Sequence, residues 1–232
     1  NEGTKYAVES AFYLQDDWEI GERWKINYGL RWSHFTQVGP YKKFLRDADG
    51  NKLDSTMYNS LEPIKTYGGL EPRITLRYAI DEATSIKASV SRNLQYIHLV
   101  SNSGNTLPTD LWVPSTYIVK PQKSWLYALG LFKNFDDNKI ETSAEFYYKS
   151  MQNQIDYKEG YTPSLNDPES EFVFGKGWSY GTELFVNKTR GRFSGWVGYT
   201  LSWTWRQFHD LNEGLRYPAK YDRRHDLSIV TG

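Results

Sequence analysis

The stretch Trp24-Lys25-Ile26-Asn27-Tyr28-Gly29-Leu30-Arg31-Trp32 decides the fold. Its even positions are Trp, Ile, Tyr, Leu and Trp, and its odd positions are Lys, Asn, Gly and Arg. A helix would scatter those residues around its circumference. A strand sorts them onto two faces, because successive side chains point to opposite sides. The alternation therefore predicts an antiparallel β-strand with one apolar face and one polar face.

The pattern repeats along the chain. Leu70, Pro72, Ile74, Leu76, Tyr78 and Ile80 oppose Glu71, Arg73, Thr75 and Arg77. Ile140, Thr142, Ala144, Phe146 and Tyr148 oppose Glu141, Ser143, Glu145 and Lys149. Trp178 to Val186 and Phe193 to Trp205 do the same. About nine strands are expected, near 5–20, 23–38, 67–80, 84–102, 119–135, 139–156, 176–189, 192–207 and 222–232. Most exceed the usual soluble strand of roughly 5–6 residues. They suit a tilted membrane crossing, which takes roughly 9–11 residues.

Connections alternate in length. Gly21-Glu22, Asp81-Glu82-Ala83, Asp136-Asp137-Asn138 and Arg190-Gly191 have the chemistry of tight turns. The segments 39–66, 103–118, 157–175 and 208–221 are long and rich in Gly, Pro, Asn and Asp. Short turns on one side and long loops on the other is the layout of an outer-membrane barrel. A soluble β-sandwich or propeller, the non-membrane alternative, has no reason to segregate loops by length.

Composition agrees. Aromatic residues make up 16% of the 232 residues, with 9 Trp and 18 Tyr, which suits interfaces where a ring is apolar at one end and wet at the other. Mean hydropathy is −0.68 and no apolar run reaches the length of a spanning helix, whereas barrel strands alternate and average out polar. Lys plus Arg (28) balance Asp plus Glu (28), so no basic stripe invites nucleic acid. Without cysteine there is neither a disulfide framework nor a thiolate metal site. Trp18, Trp24, Tyr78, Phe135 and Phe193 fall near short turns, and Trp32, Tyr148, Trp178 and Trp203 toward long loops, as two aromatic girdles require. The chain starts at Asn1 without initiator Met or signal sequence and stops at Gly232 after an apolar run. Both ends read as internal to a longer chain.

Leu70-Glu-Pro-Arg73, followed by Leu76-Arg77-Tyr78, opens one strand. Ser89 to Leu99 runs up the next, and Tyr217-Pro-Ala-Lys-Tyr-Asp-Arg-Arg-His-Asp-Leu227 leads into the last. These segments resemble the barrels of TonB-dependent outer-membrane receptors, especially the branch with an N-terminal carboxypeptidase-regulatory-like domain. Asp222-Arg-Arg-His-Asp-Leu227 is the most specific piece. The resemblance implies an all-β, antiparallel transmembrane barrel segment spanning residues 1–232, less than half of a 22-stranded barrel whose plug and closing strands lie elsewhere. It implies a receptor that imports a scarce nutrient: a metal chelate, a glycan or a peptide-like ligand. The partners it implies are outer-membrane lipid, the plug and remaining strands, the TonB complex and a surface lipoprotein, with no cofactor. The other class of function is a barrel that binds without transporting, as adhesin or assembly partner.

Candidate sites follow from that layout. Trp112, Tyr117, Tyr157, Tyr161, Phe172 and Phe174 lie in or beside long loops, where rings could stack on a ligand or pack the loops together. Arg31, Arg73, Arg77, Glu141, Glu145 and Glu183 share the polar face and would line the lumen, mostly in contact with water or a plug. Asp47, Asp49 and Asp54 resemble the start of a calcium loop, but the closing Glu is missing and Asp49-Gly50 reads better as a hairpin turn. His34, His98, His209 and His225 have no metal-ligand spacing, and no nucleophile elbow or phosphate loop supports an enzyme. His225 and its charged neighbours read as a mutually paired, structural patch.

Overall fold

A computed structural model describes residues 4–46, 52–100, 111–160 and 168–232. The strands in chain order are β1 (Tyr6–Ile20), β2 (Trp24–Val38), β3 (Tyr41–Arg46), β4 (Lys52–Tyr58), β5 (Pro63–Ala79), β6 (Thr84–Gln95), β7 (Ile97–Val100), β8 (Leu111–Pro114), β9 (Gln122–Phe135), β10 (Ile140–Tyr157), β11 (Phe172–Lys188), β12 (Gly195–Phe208), β13 (Tyr217–Pro218) and β14 (His225–Thr231). One antiparallel sheet runs β1-β2-β5-β6-β9-β10-β11-β12, with β13 and β14 both on the far edge of β12. Its nine long members are the nine strands the alternation predicts.

The register carries the alternation across the sheet. One row on the apolar face reads Trp24, Tyr78, Ile86, Leu131, Ala144, Leu184, Tyr199, Leu227. Toward the long loops another reads Tyr28, Ile74, Val90, Tyr127, Tyr148, Tyr180, Trp203. The row beyond it adds Trp125, Trp178 and Trp205. Cross-strand rings meet along these rows, as with Trp24 and Tyr78 at 4.6 Å and Tyr180 and Trp203 at 5.5 Å. Large side chains on this face remain open, for example Phe12, Leu14, Leu129 and Phe146. Such a wide apolar surface in water would be a liability, and in a barrel wall it meets lipid.

The buried core lies elsewhere. Val100, Val113, Val119, Tyr157 and Phe172 form one cluster, and Val173, Phe208 and Leu211 a second. Every member belongs to a long connection or to a strand end next to one. At that end several expected boundaries move. The strand expected over 84–102 breaks at Tyr96: β6 stays in the sheet, while β7 leaves it to pair with β8. The loops expected at 39–66 and 103–118 contain the β3–β4 hairpin and β8. β11 starts at Phe172, inside the loop expected over 157–175.

Ahead of the break β6 has already parted from β5 while staying paired with β9 to Gln95. β5 pairs with β6 only from Arg73 to Ala79. Pro72, which has no N–H to give to a ladder, stands where the two strands part. The Leu94 N–H, beyond the end of that ladder, donates to Glu71 Oε2 at 3.0 Å. Gly69 lies beneath the Leu94 side chain, where a Cβ would come within 2.7 Å of Leu94 Cδ1 and the leucine would have to turn aside. Tyr96 then reaches across to β2, stacking on Phe35 at 5.0 Å with its hydroxyl 2.8 Å from Ser33 Oγ.

Candidate functional site

Two long connections meet at the long-loop end of the sheet. Thr116 in the 96–121 connection is fully buried, and its hydroxyl accepts the Val119 N–H at 3.1 Å. The same hydroxyl donates to Glu169 Oε2 at 3.1 Å. Glu169 lies in the 158–171 connection, and its other oxygen pairs with Lys5 Nζ at the start of β1. One buried carboxylate therefore ties two connections to a distant strand. The Tyr67 hydroxyl donates to the Thr116 carbonyl at 2.6 Å, which fixes the same segment to β5. His98 is enclosed as well, with Nε2 3.1 Å from Ser115 Oγ and no hydrogen-bond partner on Nδ1. Burial holds its pKa at about 4, below the ordinary 6.5, because a charged ring there would lack water.

The rim of β10 is shaped by a bulge. Asn153 adopts φ 55°, and the register with β11 shifts between Gln152 and Gln154. Asn tolerates this left-handed region better than most residues. Its Nδ2 also donates to the Pro121 carbonyl at 2.8 Å, pinning the end of the 96–121 connection. Beside the bulge is a cavity of about 230 Å³ lined by Gln154, Asp156, Arg206, Tyr217, Lys220 and Tyr221 among others. Lys220 pairs with Asp156 at 2.9 Å, Arg206 donates to the Tyr221 hydroxyl, and burial pushes the Tyr217 phenol up to about 12. Sequence reasoning missed these residues. They come from β10, β12 and the 209–224 connection, which are not adjacent in the chain.

The sequence-predicted aromatics divide into groups. Tyr157 and Phe172 are buried against one another at 5.4 Å, so the packing alternative describes them. Trp112 on β8 is 66% exposed. Tyr117 meets Tyr41 at 6.2 Å and lies under Lys43 Nζ at 4.8 Å. Phe174 is open beside the rim of β11. Tyr161 lies outside the described residues, as do Asp47 and Asp49 of the calcium-like segment. β3 and β4 pair on either side of that segment, as a hairpin requires, and Asp54 Oδ1 accepts the Ser55 N–H at 2.7 Å. Among the described residues no group of His, Asp or Glu is placed to hold a metal ion.

The six charged residues of the polar face share one side of the sheet. Arg77, Glu145 and Glu183 lie in a single row that reads Lys25, Arg77, Lys87, Gly130, Glu145, Glu183, Thr200, Asp226. The row continues onto β1 at Glu19, which pairs with Lys25 at 2.5 Å; Arg77 and Lys87 follow, and Glu145, Glu183 and Asp226 lie toward the other end. Arg73 is in the row with Gln15 and Lys149, and Glu141 accepts Asn187 Nδ2 at 3.0 Å. Arg31 lies 3.8 Å from both Glu9 and Glu71.

The segment around His225 is structural. Asp222 Oδ1 accepts the Thr204 N–H at 2.7 Å, continuing the ladder of β12 beyond β14. Its Oδ2 accepts Arg224 Nε at 2.9 Å, and the Arg224 guanidinium lies 5.5 Å from the rings of both Trp203 and Trp205. His225 Nδ1 is 2.7 Å from the Tyr199 hydroxyl.

Comparison with known proteins agrees with the geometry. The family model described as TonB dependent receptor-like, beta-barrel matches residues 1–228. Among solved structures, the ferric-catecholate import receptor Fiu from K12 E. coli is 15% identical with a TM-score of 0.62, over 97% of this chain and 32% of that one. The pyoverdine outer membrane receptor FpvA from Pseudomonas aeruginosa PAO1 is 14% identical with a TM-score of 0.61, over 97% and 28%. The ferric yersiniabactin uptake receptor FyuA from Yersinia pestis is 16% identical with a TM-score of 0.61, over 97% and 31%. No curated protein sequence matches the chain. The chain spans about a third of the length of these receptors, and at such identities the likeness speaks to the fold. Receptors of this family are outer-membrane transport proteins. With its sheet order, its open apolar face and a match over residues 1–228, this chain belongs to the TonB-dependent receptor-like β-barrel family.

Proposed function

We propose that this chain forms part of the wall and outer mouth of an energised receptor that imports a scarce nutrient across the outer membrane. The observation that carries the reading is the placement of the buried core. It gathers where the long connections interlock, while the strands below keep one apolar face open for lipid. A wall with a built mouth suits capture of a ligand from outside. In this reading the long connections are extracellular and the short turns periplasmic. The face bearing Arg31, Arg73, Arg77, Glu141, Glu145 and Glu183 lines the lumen, where a plug and the TonB complex of the parent protein would complete the machinery.

Ligand contact falls to Trp112 and Phe174 at the surface, to the half-buried Tyr117 beside Tyr41, and to Arg206 and Lys220 in the cavity beside the bulge. The relatives carry ferric catecholate, pyoverdine and ferric yersiniabactin, so a metal chelate is the first ligand class to try, before glycans and peptides. The test uses the full-length parent in cells. Uptake of one class of radiolabelled chelate should cease on deletion of the gene and on collapse of the proton-motive force. Cysteines introduced at Trp112 and at Asp137 should react with an impermeant maleimide on intact cells only in the first case. Ligand binding that survives without any energised uptake would identify a non-transporting binding barrel instead.

A further inference from the structure

At the mouth end of β11 and β12 the apolar face ends in a cluster of rings and cations. Trp178 and Trp205 are direct cross-strand partners, and Tyr180 and Trp203 pair one row below. The Trp205 indole N–H donates to the Tyr180 hydroxyl at 3.2 Å, so the cluster is fixed. Three cations cover it. Lys176 Nζ is 5.4 Å from the Trp178 ring, Arg216 is 5.1 Å from Trp205, and Arg224 is 5.5 Å from both Trp203 and Trp205. Arg224 is neutralised by Asp222. Among the described residues, neither Lys176 nor Arg216 is paired with a carboxylate. At the turn end, cations meet rings on this sheet singly, as with Lys133 and Phe135.

Directly beyond the rings is an open recess of about 560 Å³ lined by Gln152, Asn153, Lys176, Gln207 and His209, with Gly214 at its rim. Gln207 Nε2 donates to the Gly214 carbonyl at 2.9 Å, holding the 209–224 connection over it. His209 pairs with Asp210 at 2.8 Å and adds no free cation. The rings mark the level where acyl chains give way to headgroups. Cations at that level attract anionic headgroups, and amide donors suit phosphate oxygens.

We propose that this patch is a binding site for a phosphate-bearing lipid of the outer leaflet, with its phosphate between Lys176 and Arg216 and its apolar part against Trp178 and Trp203. The site rests on the membrane placement of the chain but not on its transport function. Its failure would leave the import reading intact.

The test reconstitutes the full-length receptor in phosphatidylcholine nanodiscs doped with diphosphoryl lipid A, and measures retained lipid by native mass spectrometry. The wild type should keep one diphosphoryl lipid A that the Lys176→Ala/Arg216→Ala double variant binds about tenfold more weakly or worse. Lys176→Arg/Arg216→Lys should restore it. The heat-dependent gel shift of each variant checks that the barrel is folded. Should the double variant misfold, dephosphorylated lipid A on the wild type gives the same test, and its retention should fall likewise. Equal retention by the double variant, or equal retention of the dephosphorylated lipid, overturns the proposal. So does displacement by millimolar inorganic phosphate alone, which would make the patch a site for a free anion.

Discussion

His98 and Asn153 show how much single residues at the mouth depend on their surroundings. His98 is enclosed and neutral, with a pKa of about 4 in the fold against about 6.5 in an unfolded chain. Above pH 6.5 both states are neutral and the residue contributes no pH dependence. Between 6.5 and about 4 the unfolded connection takes the proton and the folded one does not, so stability falls by about 1.4 kcal/mol per pH unit. In the full-length receptor, NMR titration of labelled histidine should give a ring that stays neutral to near pH 4. Proteolytic nicking of the 96–121 connection should rise on acidification, and His98→Gln should flatten that rise. Asn153 carries a left-handed backbone. Asn153→Val should lower barrel stability by about 2 kcal/mol through strain and the lost bond to Pro121, whereas Asn153→Gly loses mainly the bond, about 1 kcal/mol. Thermal unfolding followed by gel shift separates the two. Neither residue announces its role in the sequence. His98 reads there as one scattered histidine, and its surroundings are set only when β7 pairs with β8 and brings Val113 and Ser115 beside it.

Strands, by contrast, were largely legible. Alternation depends only on neighbouring residues, so β2, β5, β10 and β12 could be placed from their own letters. Where a strand stops depends on its partner. The split of β5 from β6 turns on Pro72 and on a Glu71 carboxylate reaching Leu94, and no local pattern encodes that reach. The Asp222 to Leu227 segment stands between these cases. Its sequence suggested a structural role, and the fold shows the means: an aspartate that accepts a strand N–H where β14 has not begun. Asp222→Ala leaves the Thr204 N–H without its acceptor and frees Arg224, at a cost of about 1–3 kcal/mol. Asp222→Asn should recover part of it, since the amide oxygen still accepts. Urea unfolding of the reconstituted receptor reads both, and equal loss in the two variants would point to the charge rather than the ladder.

Over the whole molecule, the two faces make opposite demands. Leu129, on the open apolar face, and Ser89, on the charged face, lie in neighbouring strands about midway along the sheet. Leu129→Arg should destabilise the membrane-embedded barrel by about 2–4 kcal/mol, while Ser89→Arg should change it little. Folding titrations in lipid vesicles measure both, and a larger penalty at Ser89 would reverse the assignment of the faces. The charged face also has a polarity of its own: along one row Glu19 pairs with Lys25, Arg77 and Lys87 lie next, and Glu145, Glu183 and Asp226 follow toward β14. Charges sorted this way set a field across the wall, which orients whatever polar surface lies against it.

By itself the sequence determined the strand period, the two faces, the alternation of short and long connections and the aromatic levels, because each is a relation between residues close together in the chain. Tertiary structure alone decided which aromatics are core and which are surface. Tyr157 and Phe172 became packing, while Trp112 stayed exposed. It also decided where the mouth gains its cavity and its cation-covered tryptophans. The reason is physical: burial and charge pairing at the mouth are set by segments that meet only after the sheet has brought their strands side by side.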